Sequence, residues 1–309
     1  MGIFDFIFAI EDYFRRPKEI KFSNFGVHLH PTPVTVQEWS TLRSTGPYLV
    51  MQVWKSEWDY GPKRSWMIDI MREANDRKMK LILRVEDQSV YSYFTKLSEP
   101  KTDDKWYEET YLPFLDDVVA TATKRNLWGV QVYNEIYLEH NWLVGPTGGR
   151  ITPEETVALL KKVREYVNVN FPGVKVLMPA LADYHYERSQ KFTRGMLDAG
   201  VLEHTDMFNL HFYATYPYRY ECLHKELGRE LRDFPVIVTE AGGENTREPR
   251  RWNSIKGVFE ICRDNYDLRG FLVYCWQHIV HNNKKDWGIF GENTATKLIE
   301  SNVQTTQLE

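Results

Sequence analysis

The sequence predicts an α/β protein whose eight strands run parallel and close into a barrel. Three observations predict it. β-like and helix-like runs alternate in eight pairs, the last helix being weak, and such alternation builds parallel sheets. The chain has 309 residues, enough for a closed eight-fold barrel, which takes roughly 250 as one domain. Polar and aromatic side chains gather where the predicted strands end, although strand interiors are aliphatic. An open, doubly wound sheet is the competing architecture. No Gly-x-Gly-x-x-Gly turn follows strand one, which counts against a dinucleotide site.

Taken in order, strand one is expected over 25–30 and is stopped by Pro31. A helix over 37–43 leads to strand two at 48–54. The next helix, 65–78, carries apolar Trp66, Ile70 and Ala74 at four-residue spacing, a helical period. Strand three, 80–85, ends at Glu86 and Asp87, and a long helix over 105–125 follows. Strand four is expected over 128–134. After a turn-rich stretch at 143–149, Thr152, Pro153, Glu154 and Glu155 form a helix start. They supply a capping hydroxyl, a proline at the first helical position and acids in the first turn. That helix runs to about Phe171, where Pro172 and Gly173 stop it. The remaining pairs are strand 174–180 with helix 188–199, strand 207–213 with helix 220–232, and a strand opening at Pro235 with helix 251–265. Strand eight is expected over 270–276. The organisation is a (β/α)8 TIM barrel over 21–300. A short N-terminal segment, 1–20, is expected to pack on or near it, and 301–309 reads as a polar tail.

Composition excludes several classes. The net charge of −4 gives no broad electrostatic case for nucleic acid or an anionic membrane. No apolar run is long enough to span a bilayer. The first ten residues are apolar but lack a basic start and carry Asp5, so a secretory signal fits poorly. The expectation is a cytoplasmic protein, or one exported without a signal peptide, or one whose signal is not part of this sequence. Phe6 stands where a myristoylation motif expects Ser or Thr. Cys222, Cys262 and Cys275 match no zinc spacing and are odd in number, so buried thiols are expected. Aromatics reach 14%. Most of them fill the core, but rings also suit the faces of sugars.

Catalytic groups of such a barrel sit at the carboxyl ends of its strands. The residues there are His28 and His30, Trp54 and Glu57, Glu86 and Asp87, Asn134 and Glu135, Asp183, His211 and Tyr213, Glu240, and Trp276. Four of these ends together resemble the clan A retaining glycoside hydrolases, which include families 5 and 39. Strand four ends in Asn134-Glu135, strand six in His211-Phe212-Tyr213, and strand seven in Thr239-Glu240-Ala241-Gly242. Strand eight carries Trp276. The resemblance runs in order from about residue 22 to 292. It departs at Ile136, where many members have Pro, and at strand two, where family 5 has an Arg. Arg84 on strand three is a candidate replacement.

The resemblance implies a two-glutamate double displacement that needs no cofactor or metal. Glu135 is the expected acid/base and Glu240 the expected nucleophile. Asn134 would bind the sugar 2-hydroxyl, Tyr213 would donate to Glu240, and His211 would fix neighbouring polar groups. Trp276 would floor the cleaved-sugar subsite. His28 and the loop aromatics Trp58, Tyr60, Trp142, Tyr216 and Trp287 are further candidates to meet carbohydrate. The rival carboxylates are Glu86, Asp87, Glu139, Asp183 and Glu244. The expected partner is a β-linked polysaccharide or oligosaccharide cut internally. Two other readings stand beside this one. The first is a metal-dependent, amidohydrolase-like barrel, with His28 and His30 as its first ligand pair and Glu135, His185 and His211 as further ones; strand eight lacks the Asp that site needs. The second is a catalytically inactive carbohydrate-binding or virion-associated protein.

Overall fold

The fold is described from a computed structural model, at residues 25–29, 34–87, 102–138, 143–147, 149–182, 184, 186–213, 217–242, 250–274, 280–281 and 285–286. The expected N-terminal segment, the polar tail, the last helix, Cys275, Trp276 and Trp287 lie outside those residues.

The eight strands of the main sheet, among the described residues, are β1 Phe25–Leu29, β2 Tyr48–Trp54, β3 Lys80–Glu86, β4 Leu127–Val132, β5 Lys175–Leu177, β6 Phe208–Phe212, β7 Pro235–Ala241 and β8 Asp267–Val273. They form one sheet in the order β5-β4-β3-β2-β1-β8-β7-β6, with every neighbouring pair parallel. Parallel bridges Leu177↔Met207 and Leu181↔Leu210 join β5 to β6 and close the ring. The main helices are α1 Val36–Thr45, α2 Lys55–Trp58, α3 Gly61–Asp76, α4 Leu112–Thr123, α5 Pro153–Asn170, α6 Glu187–Asp198, α7 Glu221–Glu230 and α8 Arg250–Asn265. Thr152 caps α5, with Glu155 reaching back to the Thr152 N–H at 2.9 Å, as the Thr-Pro-Glu-Glu pattern predicts. Two departures from the expected elements matter. β8 starts and ends three residues earlier than the 270–276 expected. The helix before β4 enters through a π-helical stretch, Tyr107–Tyr111, which shifts its phase and turns Tyr107 and Tyr111 inward, both buried.

Side chains inside the barrel divide into an apolar end and a polar end. Tyr48, Val50, Ile82, Leu177, Met207, Ile237 and Leu272 pack together as one cluster, separate from the larger core formed between strands and helices. Two residues further along the same strands, inward positions become Gln52, Arg84, Asn209 and Thr239, all buried. Strand side chains alternate faces, so residues two apart share one. The change from aliphatic to polar therefore runs along the barrel axis and marks the carboxyl end as the chemical end.

Candidate active site

A bulge on β7 shapes the site. The register pairs Leu210 with Val238 but His211 with Glu240, so one extra residue, Thr239, sits on β7 between them. Bulges re-aim side chains. Here the bulge lets adjacent Thr239 and Glu240 both address His211. His211 Nε2 lies 3.0 Å from Thr239 Oγ1, and His211 Nδ1 lies 3.4 Å from Glu240 Oε2.

Glu240, 5% exposed, is surrounded by donors. Arg84 Nη1 donates to its Oε1, and Tyr213 OH donates to Oε2 at 2.5 Å. Burial pushes the Glu240 carboxyl up, but His211, Arg84, His28 and the Tyr213 hydrogen bond outweigh it. They hold the carboxyl well below the usual carboxylate range, so it is ionised at neutral pH. Burial, followed by the Glu240 charge, pushes the Tyr213 phenol well above its ordinary value, so Tyr213 keeps its proton.

Arg84 belongs to β3, where Gln52 of β2 is its register partner. Its Nη2 donates to Gln52 Oε1, and its Nε stands 3.2 Å from Glu86 Oε1. Gln52 Nε2 donates to the same Glu86 oxygen at 3.0 Å. Burial raises the Glu86 carboxyl, Arg84 lowers it, Glu240 raises it, and the result is a carboxyl pushed up to about 7. Two carboxylates thus face one guanidinium, and Glu240 keeps the charge.

Glu135 leaves β4 through a strained exit. Tyr133 (φ 61°) and Glu135 (φ 41°) both adopt left-handed backbone, which costs on the order of 1–3 kcal/mol per residue and persists only where surroundings enforce it. The enforcement is visible. Tyr133 OH donates to Asp87 Oδ1, Trp106 Nε1 donates to Asp87 Oδ2 at 2.6 Å, and the Tyr133 ring stacks on Tyr111 at 5.2 Å. The Gln131 amide donates to the Tyr133 carbonyl at 2.9 Å. Asn134 bridges Ala180, whose carbonyl accepts the Glu135 N–H at 3.2 Å. So placed, Glu135 Oε1 meets His211 Nδ1 at 2.9 Å.

The structure thus brings Glu135, Glu240, His211 and Tyr213 together, with Asn134 half-buried next to Glu135. Trp58 requires a correction. It was expected to line a sugar cleft, but it is buried. Its Nε1 donates to Asp117 Oδ2 of α4 at 2.8 Å, and the Arg64 guanidinium covers its ring at 4.6 Å. The short α2 turns the ring back between helices, where no sugar can stack on it. His28 is also fully buried and stacks on Tyr274 at 5.0 Å, so its ring offers no surface to a sugar. Tyr60 is exposed. Asp87 is engaged by Tyr133 and Trp106. His30, Glu139, Trp142, Asp183, His185, Tyr216, Glu244, Trp276 and Trp287 lie outside the described residues. Among the described residues no group of three His, Cys, Asp or Glu side chains is arranged to hold a metal ion, and no helix is long and apolar enough to cross a membrane. Cys262 is a buried thiol and Cys222 an exposed one. Gln52, Asn209 and Thr239 were not singled out from sequence. Their signal was there: each is a polar residue on the inward face of an otherwise apolar strand.

No family profile and no curated protein matches the chain. Solved structures do. A family 39 glycoside hydrolase from Bacteroides cellulosilyticus WH2 superposes with a TM-score of 0.68 at 14% identity, over 93% of this chain. This chain spans 65% of the length of that one. The endo-1,4-β-D-mannanase of Thermotoga petrophila RKU-1 superposes with a TM-score of 0.65 at 11% identity, over 92% of this chain and 100% of that one. A fungal β-1,4-galactanase gives 0.65 at 14% identity, over 90% of this chain and 94% of that one. The architecture is the (β/α)8 barrel that these glycoside hydrolases share.

Proposed function

We propose that the chain is a retaining glycoside hydrolase, with Glu240 as nucleophile and Glu135 as acid/base. One observation carries this reading. A single imidazole nitrogen, His211 Nδ1, lies 2.9 Å from Glu135 Oε1 and 3.4 Å from Glu240 Oε2. The sum of those distances caps the separation of the two oxygens at a little over ~6 Å. That closeness is compatible with the short spacing of retaining enzymes, about 5–5.5 Å between the carboxyl groups. The two environments also suit two roles. Arg84 and Tyr213 hold Glu240 ionised for attack on the anomeric carbon while Glu135 protonates the departing oxygen. Glu135, then a carboxylate, deprotonates the water that releases the sugar from Glu240. Asn134 takes the sugar 2-hydroxyl, and Trp276 and Trp287 supply stacking faces. The substrate class is a β-linked polysaccharide or oligosaccharide, cut internally. The long segments after β3 and β4 in the sequence, and the mannanase and galactanase among the similar structures, support that class.

The test uses aryl β-glycosides with a good leaving group. Glu135→Ala should form the glycosyl-enzyme on them and then stall. Azide, which needs no base, should restore turnover and yield the β-glycosyl azide. Glu240→Ala with azide should yield the opposite anomer. Wild-type rates from either variant on an unactivated glycoside contradict the assignment.

A further inference from the structure

Beneath the two glutamates runs a chain of buried polar groups that sets where a proton can sit. It begins at Asn209, whose Nδ2 donates to the Met178 carbonyl at 3.4 Å. That contact orients the amide, because the flipped amide would set oxygen against oxygen. Asn209 Oδ1 therefore faces Thr239 Oγ1 and accepts its hydroxyl proton at 2.9 Å. A threonine hydroxyl has one hydrogen. With it committed to Asn209, Thr239 Oγ1 offers only lone pairs to His211 Nε2, 3.0 Å away. Nε2 must then carry hydrogen. Asn209, Thr239 and His211 are all 0% exposed, so bulk water does not offer a substitute partner.

The other ring nitrogen is then constrained. In a neutral ring protonated at Nε2, Nδ1 is a lone pair. It faces Glu135 Oε1 at 2.9 Å and Glu240 Oε2 at 3.4 Å. Glu240 is held as a carboxylate by the Arg84 guanidinium from β3 and the Tyr213 hydroxyl from the β6 exit. Were Glu135 a carboxylate as well, three acceptors would converge with no hydrogen among them. One proton belongs in the 2.9 Å contact.

We infer that Asn209 and Thr239 are positioning residues that fix His211 with its hydrogen on Nε2, so that His211 Nδ1 and Glu135 hold between them the proton used in acid catalysis. This rests on the function proposed above. In the first step that proton moves to the glycosidic oxygen as its bond to the anomeric carbon breaks. The bond electrons go to the departing oxygen, and Glu240 forms the new bond. Glu135 is left as a carboxylate against a lone pair, free to accept a proton. It then takes a proton from the water whose oxygen displaces Glu240, and the pair is restored.

Thr239→Val is the informative change. It keeps the shape and removes the acceptor beneath Nε2. The ring should shift its hydrogen to Nδ1 and donate to Glu135, which becomes a carboxylate without an acid's proton. Ring-nitrogen NMR of histidine-labelled, substrate-free protein reads this directly, with the His211 signals identified by their loss in His211→Gln. Nε2 should carry hydrogen in the wild type and in Thr239→Ser, and lose it in Thr239→Val. A wild-type ring bare at Nε2 overturns the inference, and that spectrum needs neither a folded Thr239→Val nor an active enzyme. In kinetics, Thr239→Val should lose on the order of 10-fold or more on glycosides with poor leaving groups, a part of the ~10²–10⁴-fold that a general acid supplies. Its kcat/KM should stay within about 3-fold of wild type on good aryl leaving groups, where the first step needs no acid. Thr239→Ser should restore both. An equal loss on both substrate types overturns the proton role even if the tautomer is right. A protein inert on every glycoside removes the functional reading and the proton role with it, while the spectrum still decides the tautomer.

Discussion

The exits of β4 and β7 each deliver a glutamate to the same imidazole, yet they are built differently. Glu240 sits within β7, just past the bulge at Thr239 and ahead of the last residue Ala241, with hydrogen-bond donors from β3 and the β6 exit. Glu135 sits beyond the end of β4 at φ 41°, on a backbone held in place by Tyr133, Asp87 and Trp106. One exit fixes charge and the other fixes position. A nucleophile must stay ionised, and dense hydrogen bonding does that. The acid/base proposed at Glu135 must gain and lose a proton in each cycle, and there the carboxyl meets an imidazole while the backbone sets its placement.

The largest break in this comparison is Glu240→Ala, which should lower kcat/KM on any glycoside by about 10⁴-fold or more, since it removes the covalent step. Glu135→Ala should cost roughly 10²–10⁴-fold where the leaving group is poor and much less where it is good. Plotting log kcat/KM against leaving-group pKa for both variants separates the two exits. Glu135→Ala should steepen the plot, and Glu240→Ala should lower it throughout.

Much of this architecture is legible in the sequence, and the places where it is not have physical reasons. β2 is observed over the residues expected for it, because Tyr48 to Trp54 is an uninterrupted β-rich run between Gly46-Pro47 and the polar Lys55-Ser56-Glu57 that opens α2. β8 is misjudged because Asp267-Leu268-Arg269 is polar at the solvent-facing start of the strand, where hydropathy gives no signal. The two glutamates and the His-x-Tyr pair are recognisable because each follows or ends an apolar run. The Arg84 link to Glu240 joins residues 156 apart in sequence, and only the ring of strands brings them together. The β7 bulge is equally invisible, since no residue type demands it. Trp58 misled because a loop position after a strand does not say which way a short helix turns its ring.

Arg84 sharpens the comparison next. Arg84→Met leaves Glu240 and Glu86 buried without their shared cation. Breaking such a pair by removing one partner costs about 3–5 kcal/mol of stability, readable as a lower urea midpoint. The Glu240 carboxyl should rise toward the ordinary range, so the acidic limb of the kcat/KM profile should move to higher pH. An unmoved limb would show that Tyr213 and the neighbouring histidines suffice.

A smaller effect concerns pH and stability. The Glu86 carboxyl, pushed up to about 7 in the fold, holds its proton more tightly folded than unfolded. Its contribution to stability is therefore complete below the ordinary carboxylate range and is lost as pH rises to about 7. Glu240 has the opposite sign: its contribution is present above the ordinary range and is lost as pH falls below it. Glu86→Gln should remove the first slope, raising stability at pH 8 relative to pH 5 by at most about 1–3 kcal/mol against wild type. Urea melts at the two pH values check this. Smallest of all is the effect of metal removal. The proposed mechanism calls on no metal ion, so exhaustive chelation should leave activity unchanged; loss restored by zinc would instead favour the His28/His30 site.

The pairing of one ionised and one proton-exchanging glutamate, close across a single imidazole, is tested most directly by the stereochemistry of the wild-type reaction. A β-glycoside cleaved in an NMR tube shows the anomeric proton of the first product before mutarotation. The account predicts the β-hemiacetal first, with the α-anomer growing in later. An α-anomer formed first would mean that water attacks directly, and Glu240 would not be the nucleophile.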